Sequence, residues 1–200
     1  MSRYTGPRVK KMRALGVNLP GLSRKTVDRR PYPPGDHGSA RRRRSDYAVR
    51  LEEKQKLRLN YGVTERQLRR VVVEAQRSPE PTGDKMLELL ERRLDNAVFR
   101  AGFAPTIPAA RQLVSHGHVL LNGLRADIPS IRLKVGDQVQ LRPKSAKLAT
   151  VTEAIEQTHD RPEWLRFEEG VITMLALPPA TTVPFSLDIQ LVVEFYAKRT

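Results

Sequence analysis

The sequence predicts an α+β chain: a basic irregular arm, a helical subdomain, then a module of two helices and a hairpin with a small antiparallel sheet. Three observations lead there. Leu87, Leu90, Leu94, Val98 and Ala101 recur at intervals of three and four, the spacing of one buried helical stripe. Asn122-Gly123 separates two short apolar runs and favours the left-handed turn whose twist suits paired strands. Residues 1–44 hold thirteen Lys or Arg against only Asp28 and Asp36, so +11 of the net charge of +14 lies in the first part of the chain.

That first part, residues 1–44, contains Pro7, Pro20, Pro31, Pro33 and Pro34, five glycines and few regularly spaced large apolar residues. It is expected to stay irregular until bound, because it cannot bury enough surface to offset its conformational entropy. Its candidate phosphate contacts are Arg3, Arg8, Lys10, Lys11, Arg13 and the run Arg41, Arg42, Arg43 and Arg44. A solvated charge run is the plain alternative. Gly38-Ser39-Ala40 before the four arginines offers no apolar face for a membrane surface, whereas an Arg-rich, acid-poor start also suits an organelle transit peptide.

The helical subdomain is expected over 45–89. Ser45-Asp46 caps a helix from Tyr47 to Tyr61, supported by Glu52 and Lys56 four apart and stopped by Gly62. Thr64 and Gln67 form a capping box for a second helix, with Val63 and Leu68 stapling its start and Leu68, Val71, Val72 and Ala75 facing inward. Arg66, Arg70 and Arg77 lie elsewhere on it, either as RNA contacts or as solvated surface. Ser78 to Gly83, with two prolines, links to the module.

The module is expected over 90–179. Its first helix starts near Asp84 and ends before Gly102, and Arg93, Asn96 and Arg100 share a face away from the apolar stripe. Its second is capped by Thr106, carries Pro108 in its first turn, buries Ile107, Ala110 and Val114, and stops at Gly117. Arg111 and Ser115 project together from this helix. Strands His118–Leu121 and Leu124–Ile128 flank the turn. Val135-Gly136-Asp137 is a further turn, and Gln138 to Leu141, Trp164 to Phe167 and Val171 to Leu177 are strands of the small sheet. Glu153, Glu156, Asp160, Glu163, Glu168 and Glu169 make the late region acidic, suited to solvent or a protein neighbour. Leu187 to Tyr196 is ambiguous, because Ile189, Leu191, Val193 and Phe195 alternate as in a strand.

Composition narrows the function classes. A net charge of +14 and a pI near 10.6 favour a polyanionic partner, while 39% hydrophobic content and a mean hydropathy of −0.50 allow a modest core. There are no cysteines, which excludes disulfides and thiolate catalysis. No span approaches the ~20 apolar residues that cross a bilayer, so a soluble intracellular protein without a membrane partner is expected. An RNA-modifying enzyme would need a separate catalytic domain. The residues after the module carry neither a nucleotide-binding glycine loop nor a catalytic cluster, so no catalytic residue and no cofactor are expected.

Residue by residue, the module resembles the RNA-binding module of the small-subunit ribosomal protein four family. Carrying the resemblance are Glu91, Arg93-Leu94, Val98-Phe99-Arg100, Thr106, Ala110-Arg111, Leu113-Val114, Ser115 to His118, and Asn122-Gly123. MSRYTGPR, YPPGDHG at Tyr32 to Gly38, RLEEKQKLRLNYGVTERQL at Arg50 to Leu68 and LVVEFYAKR at Leu191 to Arg199 extend it over nearly the whole chain. It is weakest between Ser145 and Ala180. Asp36 and Ile131 depart from what many relatives carry.

The resemblance implies a ribosomal protein that binds 16S ribosomal RNA early in small-subunit assembly. It also implies contact with small-subunit ribosomal protein five, with other small-subunit components, and an influence on translational accuracy. A C-terminal helix over 180–200, returning to the helical subdomain, is implied as well. The zinc site that some relatives hold with four cysteines is not carried over. A cytoplasmic ribosome is expected, with the plastid stroma left open.

Arg92, Arg93, Asn96, Arg111, Ser115, His116, His118 and Asn122 are the module's candidate RNA contacts. Arginine suits the task because its planar fork grips phosphate oxygens and stacks on bases. The plain alternative for Arg92, Arg93 and Arg111 is an ion pair with Glu91 or Asp95, and Asp95 is read as orienting arginine. For Asn122 the alternative is its turn, and for the histidines a local hydrogen bond. Two histidines two apart lack further ligands for zinc, so no metal site is expected.

Overall fold

The computed structural model describes residues 4–38, 44–158 and 160–197. The chain divides into two compact units, one drawn from residues up to 86 together with those from 183 onward, the other from 87–182.

In the first unit, α1 (Arg8–Leu15) precedes α2 (Asp46–Asn60), α3 (Glu65–Ala75), the start of α4 (Thr82–Glu91) and the final helix α9 (Ile189–Ala197). Ser45 Oγ accepts the Ala48 N–H at the head of α2. The Thr64–Gln67 capping box forms in both directions on α3, whose Leu68, Val71, Val72 and Ala75 are buried. The alternating run near the C-terminus is the helix α9, as the family resemblance implies. Asp188 accepts the Gln190 N–H at its start and donates its own N–H to Glu53. Glu65 then joins three helices: it accepts from Lys54 Nζ of α2 at 2.8 Å and from Tyr196 Oη of α9 at 2.7 Å. The expected Glu52–Lys56 pair is replaced by others, with Lys56 turning to Glu53 and Glu52 to Arg44.

The arm departs from expectation. It contains α1, and Met12, Leu19, Leu22 and Val27 cluster with Leu59 of α2, while Asn60 Oδ1 accepts the Gly21 N–H at 2.9 Å. These apolar residues come from successive turns rather than one face of one helix, so no single period reveals them.

In the second unit, α4 ends and α5 (Leu94–Arg100) and α6 (Ile107–Ser115) follow. Next come β1 (Val119–Leu121), β2 (Leu124–Ala126) and β3 (Gln138–Leu141), α7 (Pro143–Ala146), α8 (Ala149–Glu156), β4 (Leu165–Glu168) and β5 (Val171–Met174). The five strands form one antiparallel sheet in the order β2-β1-β3-β5-β4. Leu121 pairs with Leu124 across Asn122-Gly123, whose φ values of 51° and 81° match the left-handed two-residue turn. Both hairpin strands are shorter than expected, and α7 and α8 lie where no element was anticipated. Leu94, Val98, Val114, Val119, Leu133, Val139, Trp164 and Ile172 form the core beneath the sheet.

The expected single helix from 84 to 101 is two helices. Arg93 is extended, with φ −64° and ψ 138°, and bridges to Arg132. The segment 129–133 replaces the missing helical bonds: Leu94 N–H donates to Ile131 O at 2.8 Å, Asp95 N–H to Pro129 O at 3.1 Å, and Leu133 N–H to Arg92 O at 2.8 Å. No Gly or Pro marks this break, because the partner that stabilises it lies some forty residues downstream.

Candidate nucleic-acid interface

The break aims Asp95 inward. Its carboxylate, with no solvent exposure, accepts from Arg93 Nε at 3.0 Å and Nη2 at 2.8 Å, from Arg111 Nε at 3.0 Å and Nη2 at 2.7 Å, and from the Asn96 N–H at 3.0 Å. Arg93 stands just ahead of α5 and Arg111 on α6, so one acid fixes two cations from different elements. Their side chains are 11% and 17% exposed. Two guanidiniums on one carboxylate leave a net positive charge held in a fixed place, which costs no reorganisation when an anion approaches.

Glu91, also buried, organises the next layer. It accepts from Asn96 Nδ2 at 2.9 Å and lies 3.4 Å from Arg100 Nε. Arg92 pairs with Glu88 at 2.8 Å and donates from Nε to Leu133 O at 2.9 Å. The expected outward face of Arg93, Asn96 and Arg100 is therefore an interior polar network. Asn96 is enclosed and its amide engaged, which gives it a structural position rather than a surface one. The helix break rotates these side chains away from the phase that an unbroken helix would give them.

The exposed cations gather elsewhere, at the end of α6. Gly117 has φ +71°, and a Cβ at this position would clash with Arg125 Nε, so the guanidinium lies directly over this residue. Arg142 donates from Nη1 to Gly117 O at 3.4 Å, and its backbone N–H to His118 O at 2.9 Å. Ser115 and His116 are exposed beside them. His118 is half-buried, with Nδ1 2.9 Å from Ser145 Oγ, and its ring lies 6.2 Å from that of His116.

Neither Arg125 nor Arg142 was singled out from the sequence. The signal that could have found them is register: Leu120 pairs with Arg125 on one side and Gln140 on the other, two residues from Arg142. Asn122 serves its turn, as one reading held, with Oδ1 accepting the Gln138 N–H at 2.8 Å and Nδ2 donating to Asp137 at 2.9 Å.

Within the arm, Arg8 donates to Leu22 O, and Arg13 donates to Arg30 O and Tyr32 O with its guanidinium 5.1 Å from the Tyr32 ring centre. These cations brace the arm's own turns. Lys10 and Lys11 are exposed, and Arg44 pairs with Glu52 at 2.8 Å. Arg3, Arg41, Arg42 and Arg43 lie outside the described residues.

Charge in the second unit is segregated along the chain. Residues 87–147 carry ten Lys or Arg against five Asp or Glu, and 148–182 carry two against six. The basic part includes the α6 end. Among the described residues, no group of three His, Cys, Asp or Glu could hold a metal ion, and no helix is long and apolar enough to cross a membrane.

Comparison with known proteins gives consistent matches. Residues 3–91 match the family model for the ribosomal protein S4/S9 N-terminal domain, and residues 92–139 match that for the S4 domain. Small ribosomal subunit protein uS4B of Nitrosomonas europaea is 59% identical, with both chains covered in full. The uS4 proteins of Methylobacillus flagellatus and Synechocystis sp. are 57% and 50% identical, again over the whole of both chains.

Proposed function

Because the chain belongs to the uS4 family of small ribosomal subunit proteins, we propose that it binds 16S ribosomal RNA directly and stabilises a folded junction of that RNA. As a family member it is a structural component of the small ribosomal subunit. Its contribution is then electrostatic and mechanical rather than catalytic: cations pre-positioned on a rigid scaffold meet phosphates whose spacing matches them.

The observation that carries this reading is the convergence of Arg125 and Arg142 on Gly117, in the same unit as the arginine pair fixed by Asp95. Each phosphate neutralised releases counterions, so several such contacts make affinity steep in salt. Shape recognition follows if the cations cannot relax toward an arbitrary RNA. The exposed Lys10 and Lys11, with the cations of residues 39–43, would add phosphate contacts from the arm. The acidic stretch after residue 147 suits a protein neighbour, and small-subunit ribosomal protein five is the neighbour we assign there, with an effect on decoding accuracy. The site of action is the cytoplasmic ribosome.

The test is binding of the purified chain to the 16S junction at physiological salt, beside sedimentation of tagged protein from its own cells. Nanomolar, junction-selective binding and a peak with small subunits are expected. Absence from small subunits, or equal affinity for an unrelated folded RNA, would remove the proposal.

A further inference from the structure

We propose that His118 is a proton-linked phosphate contact: RNA seated at the α6 end drives its ring to take up a proton from solvent, so that mild acid tightens the grip. This rests on the reading that the chain binds ribosomal RNA, and it adds a regulation of that same surface. Histidine is the side chain that changes charge between about pH 5 and 8. At the α6 end such a ring stands among fixed cations, where one more positive charge changes what the surface can hold.

The ring is held in place without its charge being fixed. His118 immediately precedes β1 and is half-buried, and its Nδ1 lies 2.9 Å from Oγ of the buried Ser145. α7 secures that serine: the His118 carbonyl accepts the Arg142 N–H at 2.9 Å, and the Ser145 N–H donates to Arg142 O at 2.8 Å. A hydroxyl serves both charge states, because it donates to a neutral ring nitrogen and, after rotating, accepts from a protonated one. A carboxylate in its place would favour the charged ring throughout. With Ser145 donating to Nδ1, Nε2–H is a donor in either state, so what the added proton brings is charge.

The groups around the ring are mostly cationic. Arg142 donates from Nη1 to Gly117 O, the Arg125 guanidinium of β2 lies over Gly117, and the His116 ring is centred 6.2 Å away. Lys144 and Lys147 are exposed in and just after α7, while Arg111 of α6 is turned to Asp95. Asp127, the acid that follows the Val119–Ala126 pair, is exposed, where its attraction for a neighbouring cation is weak. Positive neighbours oppose a further positive charge. A phosphate that neutralises Arg125 and Arg142 removes that opposition and adds an attraction of its own. Protonation and RNA binding are thereby coupled, and each favours the other to the same extent. Charging one of the two rings disfavours charging the other, so uptake is about one proton.

The experiment measures affinity of the full chain for the 16S junction from about pH 8 to about pH 6, with a salt series at each end. A ring that holds its proton more firmly in the complex adds affinity as pH falls. The parent should bind about tenfold more tightly at the acid end, the change that one pKa unit on binding produces. Its salt dependence there should be steeper by about 0.7–0.9 in log Kd against log salt, from the added cation. His118→Gln should lose both differences, whereas His118→Lys, charged at both ends, should bind tightly at both. His37→Gln, in the arm, should respond as the parent does. Titration of the RNA bases is common to every variant and cancels in the comparison. Ring signals of His118 followed by NMR should titrate at higher pH with RNA bound than without, a readout that needs no variant to fold.

A pH response of His118→Gln equal to the parent's overturns the proposal, and so do ring signals that titrate alike with and without RNA. Selectivity of the parent for the 16S junction over random transcripts, at one fixed pH, is scored separately. If that selectivity is absent the broader reading fails, whereas a selective chain with no pH response loses only the proton-linked contact.

Discussion

Arg111 reaches from α6 to Asp95 at the head of α5, with Nη2 2.7 Å from a carboxylate oxygen that has no solvent exposure. Arg93 holds the other edge of the same group. A pair of cations anchored on one buried acid is a framework element as much as a ligand-facing one, and substitution there affects stability and binding together.

Asp95→Asn removes the charge while keeping the shape, and it strands two guanidiniums of low exposure. It should destabilise the second unit by about 3–5 kcal/mol, the usual cost of breaking one side of a buried ion pair. The fluorescence of Trp164, the chain's sole tryptophan and part of that unit's core, reports the transition. A melting curve equal to the parent's would mean that the pairs contribute nothing.

Arg93→Ala separates two expectations. An arginine projecting from an exposed helix face should be replaceable without loss of melting temperature. The observed Arg93, engaged by both nitrogens with Asp95, should lower melting as well as RNA affinity. Arg142→Gln, at an exposed position, should change stability by less than about 0.5 kcal/mol while weakening RNA binding. Thermal melts and filter binding on the two variants distinguish these outcomes, and equal melting losses would contradict the assignment.

Leu94→Ala opens a cavity at a position with no exposure in the core of the second unit. The expected loss is about 2–5 kcal/mol by chemical denaturation. A loss below ~1 kcal/mol would place Leu94 at a surface, against the packing described.

Gly117→Ala meets both the left-handed backbone and the Arg125 guanidinium. The backbone penalty is about 1–2 kcal/mol, and displacement of Arg125 should reduce RNA affinity further than Arg125→Gln alone. Equal affinities for these two variants would separate Gly117 from the site.

Acid should loosen the first unit through Glu65. Burial raises its pKa, but hydrogen bonds from Lys54 and Tyr196 outweigh that effect and hold it below the usual glutamate value. A folded-state pKa below the unfolded one gives stability that is present above the ordinary glutamate range and lost as pH falls through the folded value. Glu65→Gln should therefore flatten the acid limb of the stability curve, with the effect reduced by solvent screening at this part-exposed side chain. An acid limb identical to the parent's would exclude Glu65 as its source.

Local chemistry made much of this fold legible in advance. The Thr64–Gln67 capping box, the Thr106 cap, the Asn122-Gly123 turn and the strand Gln138–Leu141 each announce themselves within a few residues, and each is present. The break at Arg93 does not, because the carbonyls that replace its helical bonds belong to Pro129 and Ile131. α9 was ambiguous for a different reason: two of its three buried residues, Val192 and Tyr196, fall between the alternating positions that suggested a strand. The candidate site was legible as a region but not as a set of contacts. Arg92, Arg93 and Arg111 are present but turned to carboxylates, while Arg125 and Arg142 meet at Gly117 only through sheet register.

The most direct test of the account compares dissociation constants of the full chain for the 16S junction and for random transcripts of equal length, both at physiological salt. Pre-positioned cations predict a preference of at least about 10³ for the junction, the lower end of what specific nucleic-acid complexes reach. Affinities within a few-fold of each other would contradict it, leaving net charge alone as the source of binding.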